Sequence, residues 1–245
     1  MFYDWVFKGL RKGVVSTAYP YNEQELPNYR GLPAVGPGSC PDGCRECEQA
    51  CLPGAVQVRD ATPVIDTALC LFCGECQSVC PRGRITLTNA FETAITSRQT
   101  TAAKVVPRDG RLFAKSLYIR HVDAACCGAC LRETASLNNP FYDVSRLGIF
   151  FTASPRHADV LLVTGPVSWG MRDPLREAYE AMPGPKFVVA AGACAAGGGP
   201  FGQPATVGGV DVVMPVDVYI PGCPPHPLAL IDGLRLLGGR ARKEV

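Results

Sequence analysis

Cysteine dominates the chemistry available to this chain. Thirteen occur in 245 residues, and eight of them lie between Cys40 and Cys80. Their order is Cys40-x3-Cys44-x2-Cys47-x3-Cys51, then Cys70-x2-Cys73-x2-Cys76-x3-Cys80-Pro81. The second run has a spacing that holds 4Fe–4S clusters: three close thiolates wrap one cube, and the fourth serves its neighbour. That logic assigns Cys40, Cys44, Cys47 and Cys80 to one cluster and Cys70, Cys73, Cys76 and Cys51 to another. The first run carries an extra residue before Cys44, and Leu52 stands before Pro53. The insertion widens the loop at Cys40 without removing a ligand. Structural zinc is the competing reading, but zinc sites usually draw on two Cys pairs separated by a longer loop. An odd cysteine count in a chain of this length also argues against a disulfide framework.

The other five are Cys126, Cys127, Cys130, Cys194 and Cys223. Cys127-x2-Cys130 follows an expected strand over 116–122. Cys194 follows one over 187–190, and Cys223 follows the apolar run 216–220. Further strands are expected at 147–151, 160–164 and 210–214. Helices are expected from Asp173-Pro174, with Asp as cap and Leu175, Tyr179 and Met182 on one face, and over 227–237, with Leu230, Ile231, Leu234 and Leu237 inward and Gly238-Gly239 as the stop. Strands alternating with helices predict a parallel sheet covered on both faces. Loops after parallel strands gather at one edge, where open α/β folds build sites. Four distant thiols can therefore meet there, around a third 4Fe–4S cluster or a zinc.

The first 35 residues stand apart. Phe2, Trp5, Val6 and Leu10 share a helical face, opposite Lys8, Arg11 and Lys12. The segment reads as a helix docking on protein, or as an interfacial membrane helix. Residues 18–38, punctuated by proline, read as an extended arm that needs a partner to be ordered. Polar residues 90–110 place a domain boundary near residue 100. The near-neutral formal charge of +2 gives no case for nucleic acid. No secretory signal, twin-arginine pair or run of about 18 apolar residues is visible. A cytoplasmic chain in a reducing compartment is expected.

The second half resembles the small, cluster-bearing subunit shared by group 4 membrane-bound NiFe-hydrogenases of the formate hydrogenlyase type and respiratory complex I. The matching segments are HVDAACCGACLRE (121–133), NPFYD (139–143), SPRHADVLLVTGPV (154–167), GPKFVVAAGACA (184–195) and PVDVYIPGCPPHP (215–227). The eight-cysteine segment and its arm resemble the ferredoxin subunit of the same complexes, so the chain looks like a fusion of the two. The resemblance implies an α+β ferredoxin-like domain (36–95) after a helix and docking arm (1–35). A linker (96–110) and an α/β flavodoxin-like domain with a mainly parallel sheet (111–245) follow.

It further implies an electron-transfer subunit of a multi-subunit oxidoreductase carrying three 4Fe–4S clusters. Hydrogenase-style small subunits show C-x2-C with Glu three residues later, which fits Cys127, Cys130 and Glu133. Complex I subunits show adjacent Cys, as Cys126-Cys127, but Glu133 is then badly spaced. Cys127, Cys130, Cys194 and Cys223 are therefore taken as ligands and Cys126 as spare, a swap of the two being the open alternative. Glu133 is either a helix-surface carboxylate or a proton relay at the partner interface. His226, where the family often has Arg, is a packing residue or a pH-sensitive tuner of the cluster. His121 and His157 are taken as structural. Gly192–Gly202 lacks the Walker ending, so its glycines are expected to admit close backbone approach.

The expected partners are a catalytic large subunit, membrane-arm subunits and an upstream electron-donor module, with the chain peripheral to the cytoplasmic membrane through them. No cysteine pair remains for nickel, so hydrogen chemistry is expected on a partner. The alternative is the equivalent subunit of a complex I-like or nickel-free oxidoreductase that passes electrons to quinone or another acceptor. A zinc-binding assembly protein is the reading from a different class.

Overall fold

The computed structural model describes residues 3–97, 113, 115–125, 127–201 and 204–239. The expected linker therefore lies almost wholly outside the described residues, as do Phe2 and Cys126. Helix α1 (Asp4–Lys12) has the amphipathic pattern read from sequence, but none of its residues is buried. Trp5, Phe7 and Leu10 stand exposed, so its apolar face finds no cover among the described residues. The arm that follows does find cover. Thr17 N–H donates to Phe141 O at 2.7 Å, and the Arg146 guanidinium donates to the carbonyls of Thr17 and Tyr19. Tyr19 is buried, with Leu26 and Tyr29 packed against the same core. The partner that orders the arm is thus the second half of its own chain.

The arm ends in strand β1 (Pro33–Val35), and the cysteine-rich segment then runs α2 (Glu46–Gln49), β2 (Val56–Arg59), β3 (Thr62–Ile65), α3 (Glu75–Ser78) and β4 (Ile85–Leu87). β1 pairs antiparallel with β4, and β2 with β3. The β2–β3 turn is tight, with Asp60 and Ala61 both at positive φ, as two-residue hairpins require. A repeat underlies this plan: Cys44, Glu46, Cys47, Cys51, Gly54 and Val56 recur as Cys73, Glu75, Cys76, Cys80, Gly83 and Ile85, each 29 residues on. Val56 and Ile85 each open a strand and are buried together with Ile65, Cys47 and Cys76.

The second half builds a five-stranded sheet from β5 (Leu117–Asp123), β6 (Ile149–Phe151), β7 (Val160–Thr164), β9 (Phe187–Ala191) and β11 (Val218–Ile220). Its order is β6-β5-β7-β9-β11, with every neighbouring pair parallel. A short ribbon, β8 (Val167–Ser168) with β10 (Thr206–Gly208), lies outside it. The strand order is that of the flavodoxin-like doubly wound fold. Every residue of β7 and β9 is buried, as expected where both faces are covered. Alternation sorts them: Val160 and Leu162 join the core under α7 (Pro227–Leu237), while Leu161 and Val163 join the core under α5 (Arg172–Glu180). Helices α4 (Ala129–Ser136) and α6 (Ala193–Gly197) start at the carboxyl edge. α7 has the expected bounds and inward face, Leu230, Ile231, Leu234 and Leu237 all being fully buried.

Two expectations change. Residues 210–214 are not a strand: Val210–Val212 is a turn of 3-10 helix, and the edge strand is β11. Val210 and Met214 are buried while Asp211 and Val212 are exposed, a spacing of four in place of alternation. Helix α5 starts two residues earlier than read, with Met171 in the cap position, and Asp173 pairs with Arg172 at 2.9 Å without capping the helix.

The halves are packed together. Ile95 and Tyr219 exchange backbone hydrogen bonds at 2.9 and 2.7 Å. Phe91 and Ala94 lie in one core of the sheet domain, and Ala68 and Ile95 in the other.

Candidate iron–sulfur sites

Cys40, Cys44, Cys47 and Cys80 line one cavity, here site A, with Pro41, Pro63, Pro81, Arg82 and Arg84. Cys47 sits in α2, while the other three come from loops. Burial pushes the Cys47 thiol up, and Cys40 adds to this. Cys80 goes the other way. Burial alone would raise its thiol, but N–H groups of Arg84, Arg82, Ile85 and Gly83 outweigh that and hold it below the ordinary range. Such donors stabilise negative charge on sulfur. The Arg84 N–H lies 3.3 Å from Cys80 Sγ.

Cys51, Cys70, Cys73 and Cys76 form site B. Burial, then Cys76, Cys51 and Cys73, push the Cys70 thiol up to about 12. Burial followed by Cys73 and Cys51 does the same for Cys76. Ala55 N–H lies 3.2 Å from Cys51 Sγ, and Phe72 N–H lies 3.4 Å from Cys70 Sγ. Ala55 and Phe72 are buried around Cys70. Cys47 of site A also acts on Cys76, so A and B adjoin.

Site C forms at the carboxyl edge of the sheet. Cys127 follows β5, Cys130 lies in the first turn of α4, Cys194 in the first turn of α6, and Cys223 follows β11. Backbone bonds tie the last two loops together: Gly192 N–H to Ile220 O at 2.8 Å and Ala193 N–H to Gly222 O at 3.0 Å. Glycines leave room at the sulfurs. A Cβ on Gly192 would stand 2.8 Å from Cys130 Sγ, and one on Gly199 2.5 Å from Cys194 Sγ. The sulfur-bearing edge at Cys223 is accessible, yet its surroundings push the thiol up, with Cys127 and then Cys73 adding to this. Cys73 belongs to site B, so B and C adjoin.

The donor chemistry fits iron–sulfur clusters. Crowded, partly buried thiols resist deprotonation on their own, and a cationic core reverses that by taking them as thiolates. Among the described residues, no three His, Cys, Asp or Glu side chains close to the spacing of a single metal ion. Cys126 lies outside the described residues.

Glu133 is half-buried on α4, and burial pushes its carboxyl up. It acts electrostatically on Tyr29 of the arm and on Tyr142. His226 packs edge-on to both rings, at 5.5 and 6.2 Å between centroids. Its Nδ1 accepts from Leu228 N–H at 3.2 Å, capping α7, and burial lowers its pKa. His121 Nε2 meets Thr164 Oγ1 at 2.9 Å between neighbouring strands, a packing role.

Tyr29, Tyr142 and Arg84 were not singled out from sequence. The tyrosines carry no spacing signal. Arg84 does, because it stands where the first repeat has Ala55.

Residues 127–237 match the family model described as NADH ubiquinone oxidoreductase, 20 kDa subunit, and residues 63–83 match that of a 4Fe–4S binding domain. The latter spans Cys70, Cys73, Cys76 and Cys80. Over 131 residues the chain is 46% identical to an uncharacterized protein of Methanocaldococcus jannaschii, covering 53% of this chain and 88% of that one. Similar solved structures include a chain of the membrane-bound sulfane sulfur reductase, an archaeal respiratory membrane complex: identity is 37%, coverage 53% of this chain and 72% of that one, and the TM-score 0.47. A chain of an NAD+-reducing NiFe-hydrogenase is 21% identical, with coverage of 53% and 96% and a TM-score of 0.42.

Proposed function

Because the chain belongs to the family of the NADH ubiquinone oxidoreductase 20 kDa subunit, we propose that it is the three-cluster electron-relay subunit of a group 4 membrane-bound NiFe-hydrogenase. The coarser role, iron–sulfur electron transfer within an oxidoreductase complex, follows from the family and the 4Fe–4S match. The single observation behind the finer reading is the contiguity of the cysteine sets. Cys47 and Cys76 share one buried cluster between A and B, and Cys73 acts electrostatically on Cys223 between B and C. When bound, the clusters supply one-electron transfer. The chain's residues fix their separation, exclude water and set their electrostatic surroundings.

Site C is the end presented to a catalytic large subunit, since Cys127 and Cys223 are exposed there and Leu131, next to Cys130 on α4, leaves apolar surface. Site A is the end that meets the donor module. Glu133, with Tyr29, Tyr142 and His226, would hold and pass a proton at the site C interface. No helix among the described residues is long and apolar enough to cross a membrane; the attachment proposed is peripheral, through membrane-arm partners or the exposed apolar face of α1. Chemical analysis of the anaerobically purified native complex tests the reading. About twelve iron and twelve sulfide per copy of this chain are expected, with nickel on the large partner. About eight iron removes the three-cluster count. A nickel-free complex removes the hydrogenase label in favour of the complex I-like alternative. Retention of full turnover by Glu133→Gln removes the proton relay.

A further inference from the structure

The two cysteine repeats set the same backbone hydrogen bond and then diverge. Four residues after Cys51 stands Ala55, and four after Cys80 stands Arg84. Each donates its N–H to the preceding cysteine sulfur, at 3.2 and 3.3 Å. Ala55 presents a buried methyl packed with Cys70 and Phe72. Arg84 is only 8% exposed and turns its guanidinium into site A. Its Nη1 lies 3.4 Å from Cys40 Sγ and 3.4 Å from Ala61 O, and its Nη2 lies 2.9 Å from Gly36 O. Its Nε is buried without a hydrogen-bond partner among the described residues.

A buried guanidinium is costly unless an anion compensates it, and these protein partners are two carbonyls and a cysteine sulfur. Four thiolates outweigh the positive charge of a 4Fe–4S core, so the loaded site is the missing anion and becomes more negative on reduction. A fixed cation in a low-dielectric wall favours the more negative state. Site B has a methyl at the related position. A cation beside its ligands, Arg30 on Cys73 O at 3.3 Å, is exposed and screened by water. We propose that Arg84 is a positioning residue for charge: it raises the potential of the site A cluster above that of site B, so that an electron rests on A in preference to B. The inference rests on the three-cluster reading.

The test is an EPR-monitored redox titration of the full chain loaded anaerobically with iron and sulfide, the site A signal being identified by its loss in Cys44→Ala. Arg84→Gln is expected to shift the site A reduced-to-oxidised ratio at least tenfold toward oxidised at fixed potential, about 59 mV for one electron, leaving B and C in place. Arg84→Lys restores most of the shift, because charge survives without the fork. Arg82→Gln moves it far less, since Arg82 is exposed and bonds Ser39 O at 3.2 Å. An unchanged site A potential in iron-replete Arg84→Gln overturns the inference and leaves the relay reading intact. Equal shifts at all three sites do the same. Should Gln lose site A iron, Arg84→Met takes its place. If neither neutral variant holds that iron while Lys does, Arg84 serves assembly and the potential-setting role is rejected. Wild-type protein that takes no iron at site A removes both readings together.

Discussion

Sites A and B are built from one short stretch of chain, whereas site C is assembled from three separate segments, at 127–130, Cys194 and Cys223, on the edge of a rigid sheet. The difference lies in what holds the sulfurs when no metal is bound. Around A and B the buried clusters are Cys47, Val56, Ile65, Cys76 and Ile85, and Ala55, Cys70 and Phe72. The candidate ligands Cys47, Cys70 and Cys76 are themselves much of the core, and domains this small usually need a metal or other staple. Site C stands on two large cores that contain no ligand cysteine.

The sharpest way to break this comparison is to remove iron. Chelation under anaerobic conditions is expected to abolish hydrogen-exchange protection across residues 36–88 while β7 and β9 stay protected. Uniform loss or uniform retention would show that the two regions do not differ in this way. Core truncation is the reciprocal case. Leu234→Ala on α7 empties a fully buried position and is expected to cost about 2–5 kcal/mol in denaturant unfolding. Iron at A and B should be retained below the transition. Loss of that iron before the sheet unfolds would reverse the order of dependence.

A third substitution separates space from backbone strain. Gly192 has φ +93, and a Cβ there meets Cys130 Sγ; Gly54 has φ +67 with open space around it. Gly192→Ala is expected to lose about four of about twelve iron. Gly54→Ala should cost roughly 1–2 kcal/mol of strain with no iron lost. Equal iron content in the two variants would mean that site C tolerates the displacement.

The same contrast explains what could be read in advance. That Cys40, Cys44, Cys47 and Cys80 line one cavity was legible because the meeting of sequence-local cysteines is a matter of spacing. α7 was legible because Pro227 starts it, Gly238 stops it and its leucines repeat at helical intervals. Site C was legible only through the strands ahead of each cysteine. The short run at 210–214 misled because β-branched content cannot distinguish a strand from a single helical turn. Arg84 was missed because a charged residue in a loop ordinarily points to water, and only comparison with Ala55 marks it. Tyr29 was beyond reach, since its approach to Glu133 depends on how the arm lies across a domain formed about a hundred residues later.

The smallest expected effect concerns Glu133, where site C meets the arm. Burial raises its carboxyl pKa, so the folded protein holds this proton more tightly than the unfolded chain, whose Glu titrates near pH ~4.3. The stabilising contribution is therefore complete below that value and is lost as pH rises through the raised folded value. Glu133→Gln keeps the neutral shape at every pH. In iron-loaded protein, the melting temperatures of variant and wild type should coincide near pH 4 and diverge toward pH 8, with the variant the more stable. A gap that stays constant across this range would return Glu133 to an ordinary helix-surface carboxylate, and would leave the arm's Tyr29 with packing as its only role beside site C.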